Sequence, residues 1–240
     1  MNTNKKLIVA NWKNYIEEIS QISLLLNAII TNLSQANNLV ICPSFVHIKT
    51  VADCLTNSDI KIGAQNISHF DDKVSTGDIT IPMLKDLGCS YVILGHSERR
   101  KLYLETNEII SKKVHIALMN NITPIVCVGE PIEIKSQSSH LEFIKTQILN
   151  SIPKTANRSK IIIAYEPIWA IGSGLVPKNE EISEVISQIK KIPSFKNTSV
   201  LYGGSVNSNN IKILNSIKNL EGFLIGKASV NFDQLSKLVF

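Results

Sequence analysis

The sequence predicts an α/β fold, a single-domain (β/α)8 barrel over residues 1–240. Three observations carry this. Eight short β-branched apolar runs alternate with longer stretches of helical period. No Pro/Gly/Ser-rich linker divides the chain, and its 240 residues match the ~250 usual for such a barrel. An open doubly wound sheet fits the same alternation, but the G-x-G-x-x-G turn after the first strand that would favour it is absent.

The runs are LIVAN from Leu7, NLVIC from Asn38, IKIGAQ from Ile60, YVILG from Tyr91, ITPIVCVG from Ile122, IIIAYE from Ile161, SVLYGG from Ser199 and GFLIG from Gly222. Each is apolar on successive residues, as expected of parallel strands buried on both faces. Between them, Ile19, Ile22, Leu26, Ile29 and Leu33 step by three and four, one stripe on a helix. Ile110, Val114, Ala117 and Leu118 form a second stripe, and Ile182, Val185, Ile186 and Ile189 a third. Asn179 is the expected N-cap of this last helix, with Glu180 and Glu181 in its first turn, where the dipole favours acids. Periodicity is weaker between the second, third and fourth runs.

Composition narrows the function classes. Apolar residues make up 44% and charged residues 19%, with a mean hydropathy of +0.10, as in globular proteins. The longest apolar run, Ile161–Tyr165, falls far short of the ~20 residues that span a bilayer, so no membrane partner is expected. The opening MNTNKKLIVANWK lacks the long apolar stretch and cleavage site of a secretory leader. Cys42, Cys54, Cys89 and Cys127 show no C-x-x-C spacing, which argues against a zinc site or a disulfide framework and fits a reducing, cytoplasmic location. The net charge of +5 is dispersed rather than gathered into a basic stripe, so no nucleic-acid partner is expected. A mild positive balance suits a small anionic substrate.

Active sites of these barrels lie at the C-terminal ends of the strands. There the sequence places Asn11-Trp12-Lys13 after the first run, GHSERR with His96 after the fourth, Glu166 after the sixth, YGGSV after the seventh and GKAS after the eighth. Each feature has an ordinary reading when taken alone. A glutamate after a buried strand is usually solvated or salt-bridged, and YGGS and GSG are turn signals. Together, a carboxylate, an imidazole and an ammonium suit proton abstraction beside a carbonyl, with charge developing on oxygen. Gly-rich loops after strands seven and eight commonly hold phosphate. With no H-E-x-x-H cluster and no nucleotide fingerprint, an isomerisation needing neither metal nor cofactor fits better than a redox reaction.

The stretches ANWK, GAQN with STGD, VILGHSERR, PIVCVGEP, AYEPIWAIGSG, LYGGSV and GFLIGKAS resemble the triosephosphate isomerase family in order and over the whole chain. The resemblance implies the TIM barrel fold and interconversion of dihydroxyacetone phosphate and glyceraldehyde 3-phosphate in glycolysis and gluconeogenesis, by a homodimer. It implies that Glu166 shuttles the proton between carbons and that His96 polarises the carbonyl. A helix beginning near Ser97 would keep His96 neutral. Asn11 and Lys13 are implied to bind substrate, with Glu98 tied to the Lys13 network. A mobile lid is implied from Pro167 through Ile168, Trp169, Ala170, Ile171, Gly172, Ser173 and Gly174 to Pro177; closure would exclude water from a fragile enediol phosphate. The backbone N–H groups of Gly172, Ser205, Gly226 and Lys227 resemble the phosphate cradle. Tyr202 resembles a tyrosine whose hydroxyl bonds a backbone N–H at the lid's C-terminal hinge. The loop from Gln65 to Asp78 resembles an arm that inserts into a partner, with Thr76 reaching the partner's Asn11–Lys13 region.

The sequence departs from the family pattern in several places. Lys227 stands where glycine is usual, Ser173 where threonine is usual, and Leu175-Val176-Pro177 replaces a Lys-Thr-Ala type hinge, removing a backbone donor. Asp78 stands where glutamate is usual; one methylene shorter, it would weaken the cross-subunit pair with Arg99 that the resemblance implies. The stretch between lid and YGGSV is several residues shorter than usual. Two other functions remain open on the residues alone: another phosphate-binding barrel enzyme, such as a sugar-phosphate epimerase, and an inactive paralogue kept for binding.

Overall fold

The computed structural model describes residues 5–70, 74–171 and 175–239. Eight parallel strands close into a barrel in chain order: β1 (Leu7–Asn11), β2 (Leu39–Cys42), β3 (Lys61–Ala64), β4 (Cys89–Leu94), β5 (Thr123–Val128), β6 (Ile162–Tyr165), β7 (Ser199–Tyr202) and β8 (Gly222–Ile225). The ring shuts where β1 pairs with β8, Leu7 opposite Gly222 and Ala10 opposite Ile225. This closure excludes the open sheet. The eight predicted runs all form strands; β4 starts two residues before its run because Cys89 already pairs with Ile62.

The surrounding helices are α1 (Ile19–Leu33), α2 (Ile48–Leu55), α3 (Ile81–Asp86), α4 (Ser97–Leu102), α5 (Asn107–Met119), α6 (Ile132–Ser136), α7 (His140–Ser151), α8 (Asn179–Lys191), α9 (Ile211–Asn215) and α10 (Phe232–Leu235). The weakly periodic segments hold the short α2 and α3. Two core layers explain the strand pattern. Val9, Val40, Ile93, Ile125, Ala164, Leu201 and Leu224 pack in one cluster. Their neighbours along the strands, such as Ile8, Ile41, Leu94 and Ile163, join the larger cluster with the helices. Each fully buried Ile or Leu contributes about 1.5–3 kcal/mol. The stripes bury Ile22, Leu26 and Ile29 of α1 and all four predicted residues of α8. Ile19, the first residue of α1, is instead 58% exposed.

One local expectation is corrected. Asn179 is not the cap of α8 but its first residue; Lys178 precedes the helix, and its N–H donates to Glu181 Oε2 at 2.9 Å. Within the chain, Arg99 and Asp78 have other partners than each other: Arg99 Nε pairs with Glu105 Oε1 at 2.5 Å, and Asp78 accepts from Ser68 at 3.0 Å. No helix among the described residues is long and apolar enough to cross a membrane. The four cysteines are free, and only Cys54 is exposed.

Candidate active site

At the C-terminal mouth of the barrel lies a cavity of about 870 Å3. Asn11, Lys13, His96, Glu98, Glu166, Ser205, Gly226 and Lys227 all line it, so barrel closure brings together residues from five strand ends.

Lys13 sits just past β1 with φ of 46°, left-handed for a residue that pays steric strain there. Its backbone is clamped. The N–H donates to Asn11 Oδ1 at 3.2 Å, and the carbonyl accepts from Ser44 Oγ and Gln65 Nε2, both at 2.8 Å. Gln65 is the first residue of the predicted arm; here it also steadies the site of its own chain. The Lys13 ammonium meets Glu98 Oε1 at 2.5 Å.

His96 caps α4, whose first residue is Ser97, as expected. Its Nδ1 accepts the Glu98 N–H at 3.2 Å, which leaves Nε2 to carry the ring proton in the neutral imidazole. Nε2 faces Glu166 Oε1 at 3.1 Å. Glu166, 2% exposed, also accepts the Ser97 N–H on Oε2 at 3.3 Å. Burial opposes its ionisation, but His96, the Cys127 thiol and the Ser97 N–H outweigh that and hold it below the ordinary carboxylate value. For His96, burial disfavours the charged ring, while the Glu166 carboxylate more than offsets this and raises the pKa. The helix N-terminus thus keeps an acceptor contact on Nδ1, whereas the resting carboxylate pulls towards imidazolium. Departure of Glu166 from His96 removes that pull. Gly203 makes room for the Glu166 side chain, since a Cβ there would lie 2.9 Å from Glu166 Cγ.

The first half of the segment expected to form a lid is tied down. Ile168–Ala170 form a 3-10 turn. Ile168 N–H and Trp169 Nε1 donate to the carbonyl and side chain of buried Glu130 at 3.1 and 2.9 Å. Tyr165 also donates to Glu130, at 3.2 Å. Ser205 Oγ donates to Ala170 O at 2.8 Å, joining the loop after β7 to this segment. The lid tip, Gly172, Ser173 and Gly174, lies outside the described residues, as does the arm tip from Asp71 to Lys73. Tyr202 is fully buried and its hydroxyl has no partner among the described residues. Lys227 is exposed and begins a 3-10 turn over Lys227–Val230, directly after Gly226. Thr76 is exposed in the turn with Gly77.

Sequence reading missed several contributors. Arg100 is the chief one: Nε donates to Gly95 O at 2.8 Å, and Nη2 to Cys127 O at 3.1 Å, bracing the ends of β4 and β5 behind Glu166. Ser44, Cys127 and Glu130 are others. Nothing in their spacing marks them, because each acts through a partner distant in the chain. Among the described residues no group of three His, Cys, Asp or Glu side chains is placed to hold a metal ion.

A closed parallel barrel whose mouth joins a carboxylate–imidazole pair, an ammonium and serine- and glycine-bearing turns suits an enzyme of proton transfer on small phosphorylated substrates. The Triosephosphate isomerase family model matches residues 6–240. A triosephosphate isomerase of Wolbachia from Brugia malayi is 44% identical over 242 residues, covering 97% of this chain and 96% of its own. That of Thermodesulfovibrio yellowstonii is 39% identical over 242 residues, covering 98% of each. The crystal structure of triosephosphate isomerase from Bartonella henselae superposes with a TM-score of 0.87 at 32% identity, covering 98% of this chain and 97% of that one. The chain belongs to the triosephosphate isomerase family.

Proposed function

We infer that the chain is the glycolytic isomerase that interconverts dihydroxyacetone phosphate and glyceraldehyde 3-phosphate through an enediolate, with Glu166 as base and His96 as electrophile. The observation that carries the residue roles is the 3.1 Å contact between Glu166 and His96 Nε2. It is a resting arrangement. The same Nε2–H cannot serve both the carboxylate and a substrate carbonyl, so substrate displaces Glu166, which swings to the carbon-bound proton. His96 then donates Nε2–H to the carbonyl oxygen, neutral because Nδ1 holds the Glu98 N–H. Lys13, with its ammonium kept in the mouth by Glu98, offsets the negative charge that develops on oxygen. Asn11 fixes the Lys13 backbone.

The substrate phosphate is read as lying against the backbone N–H groups of Ser205, Gly226 and Lys227, with Gly172 of the lid completing the cradle. Lid closure over the enediolate excludes water and prevents loss of phosphate. The eight units are read as one domain over residues 1–240, supported by the β1–β8 closure. The chain is read as cytoplasmic, in keeping with its free cysteines and glycolytic chemistry, and as a homodimer through the Gln65–Asp78 arm. Exposed Tyr15, Val46, Val74, Tyr103 and Leu104 support an interface; Thr76 would reach the partner's Lys13 loop. The test is a coupled assay of glyceraldehyde 3-phosphate formation with chelator present, on the wild type and on His96→Gln. Robust wild-type turnover with a loss of about a hundredfold or more in the variant is expected; equal rates would refute the assignment of His96.

A further inference from the structure

The cavity is lined by more polar side chains than the isomerisation uses. Besides Ser205 and Gly226, its lining includes Asn207, Lys227, Asn231 and Gln234.

The fold orients three of these amides by occupying their oxygens. Asn207 Oδ1 accepts the Asn209 N–H at 2.9 Å. Asn231 Oδ1 accepts the Gln234 N–H at 3.0 Å. Gln234 Oε1 accepts the Ser208 hydroxyl at 2.8 Å and the Ser208 N–H at 3.4 Å. The free end of each side chain is therefore its NH2, and none of the three NH2 groups has a partner among the described residues. Lys227 likewise forms no ion pair among them. The carboxylates lining the cavity, Glu98 and Glu166, are held by Lys13, His96 and Ser97. The lining thus includes one cation and three amides whose unoccupied ends are donors, while its two carboxylates are already partnered. Such a surface recognises anions.

We propose that Asn207, Lys227, Asn231 and Gln234 form a second anion subsite, which takes the second phosphoryl group of a small bis-phosphorylated ligand whose first phosphate occupies the Ser205–Gly226 cradle. Ligands of this class then compete with the triose phosphate. The proposal rests on the reading of Ser205 and Gly226 as the cradle.

Inhibition of the isomerisation by inorganic phosphate and by pyrophosphate, with EDTA present, tests it. In the wild type pyrophosphate is expected to compete with substrate with an inhibition constant at least about tenfold below that of phosphate, the scale of one added charge-assisted bond. Asn231→Asp and Gln234→Glu keep the oxygens that hold the turns but replace each NH2 with a repelling oxygen. Each should abolish most of that preference while the phosphate constant stays within about threefold. Asn209→Asp, exposed on the same loop and outside the cavity lining, controls for long-range charge and should leave the preference intact. No preference in the wild type, no change in the lining variants, or an equal change in Asn209→Asp each overturns the subsite. If phosphate competes and pyrophosphate gains nothing, the subsite falls and the cradle stands; if neither anion competes, both fall.

Discussion

Tyr202→Phe isolates one hydroxyl in the wall of the barrel. The side chain is 0% exposed, its hydroxyl has no partner among the described residues, and burial pushes its pKa up. It is wedged against the main chain, since a Cβ on Gly204 would lie 2.1 Å from the hydroxyl oxygen. The family resemblance assigns this hydroxyl to a backbone N–H at the C-terminal hinge of the lid, but the hinge residue here is Pro177, which has none. Were such a bond made in the closed state, its loss would cost about 0.5–1.5 kcal/mol, or roughly two- to thirteenfold in kcat/KM. Because the donor is missing, we expect a loss of less than about 1 kcal/mol, under about fivefold. Stability should move the other way. A buried hydroxyl without a partner carries a desolvation cost of about 1–3 kcal/mol, and relieving even 1 kcal/mol raises Tm by about 2–4 °C in a chain of this size. Proline contributes separately, as its fixed φ narrows the open ensemble of the hinge. Coupled-assay kinetics and calorimetry of Tyr202→Phe, alone and with Pro177→Ala, decide the matter. A fall beyond tenfold in kcat/KM for the single variant, or a lowered Tm, would show that the hydroxyl has a closed-state partner and that this reasoning is wrong.

Glu166→Gln should lose at least about a hundredfold in kcat, the lower end of general-base catalysis; near wild-type turnover in contamination-checked enzyme would sink its assignment. Lys227→Gly should change kcat/KM for the triose phosphate by less than about tenfold, because the proposed cradle uses the backbone donor; a larger loss would mean that the ammonium itself holds the substrate phosphate. Sedimentation at assay concentration should find a dimer, and a subunit isolated by dilution should be nearly inactive; a fully active monomer would overturn the arm's role. Glu105→Gln should destabilise by about 3–5 kcal/mol in chemical unfolding, as expected when a buried pair loses one partner, because it leaves the Lys113 ammonium, 3% exposed at its side chain, without its carboxylate. Burial opposes ionisation of Glu105, but bonds from Lys113 and Arg99 outweigh it and depress its pKa. Its contribution is therefore present above the unfolded glutamate value of about 4.3 and fades as pH falls through the lower folded one. The variant's stability should accordingly depend less on pH across that acid range, and an unchanged acid profile would contradict the depressed pKa.

Much of this protein was legible in its sequence because the relevant signals are local. Successive apolar residues mark a strand buried on both faces wherever the strand ends up, and a three–four spacing marks the buried stripe of α8 without reference to its neighbours. The strand tips followed from the runs, and with them Lys13, His96, Glu166, Ser205 and Gly226 as the residues of the mouth. Pairings across the barrel were not legible. Only closure and strand register set Glu166 against His96 and Ser97, 69 or more residues away, or bring Ser44 and Gln65 onto the strained Lys13. Arg99, expected to face a partner's Asp78, pairs within its own chain with Glu105, six residues along, a carboxylate that the buried Lys113 also holds. Likewise the sequence determined that Asn207, Asn231 and Gln234 are polar, whereas the tertiary structure decided which end of each amide is occupied and which is free. Side-chain chemistry is a property of the residue; the direction in which a hydrogen-bonding group points depends on groups that only the folded chain places beside it.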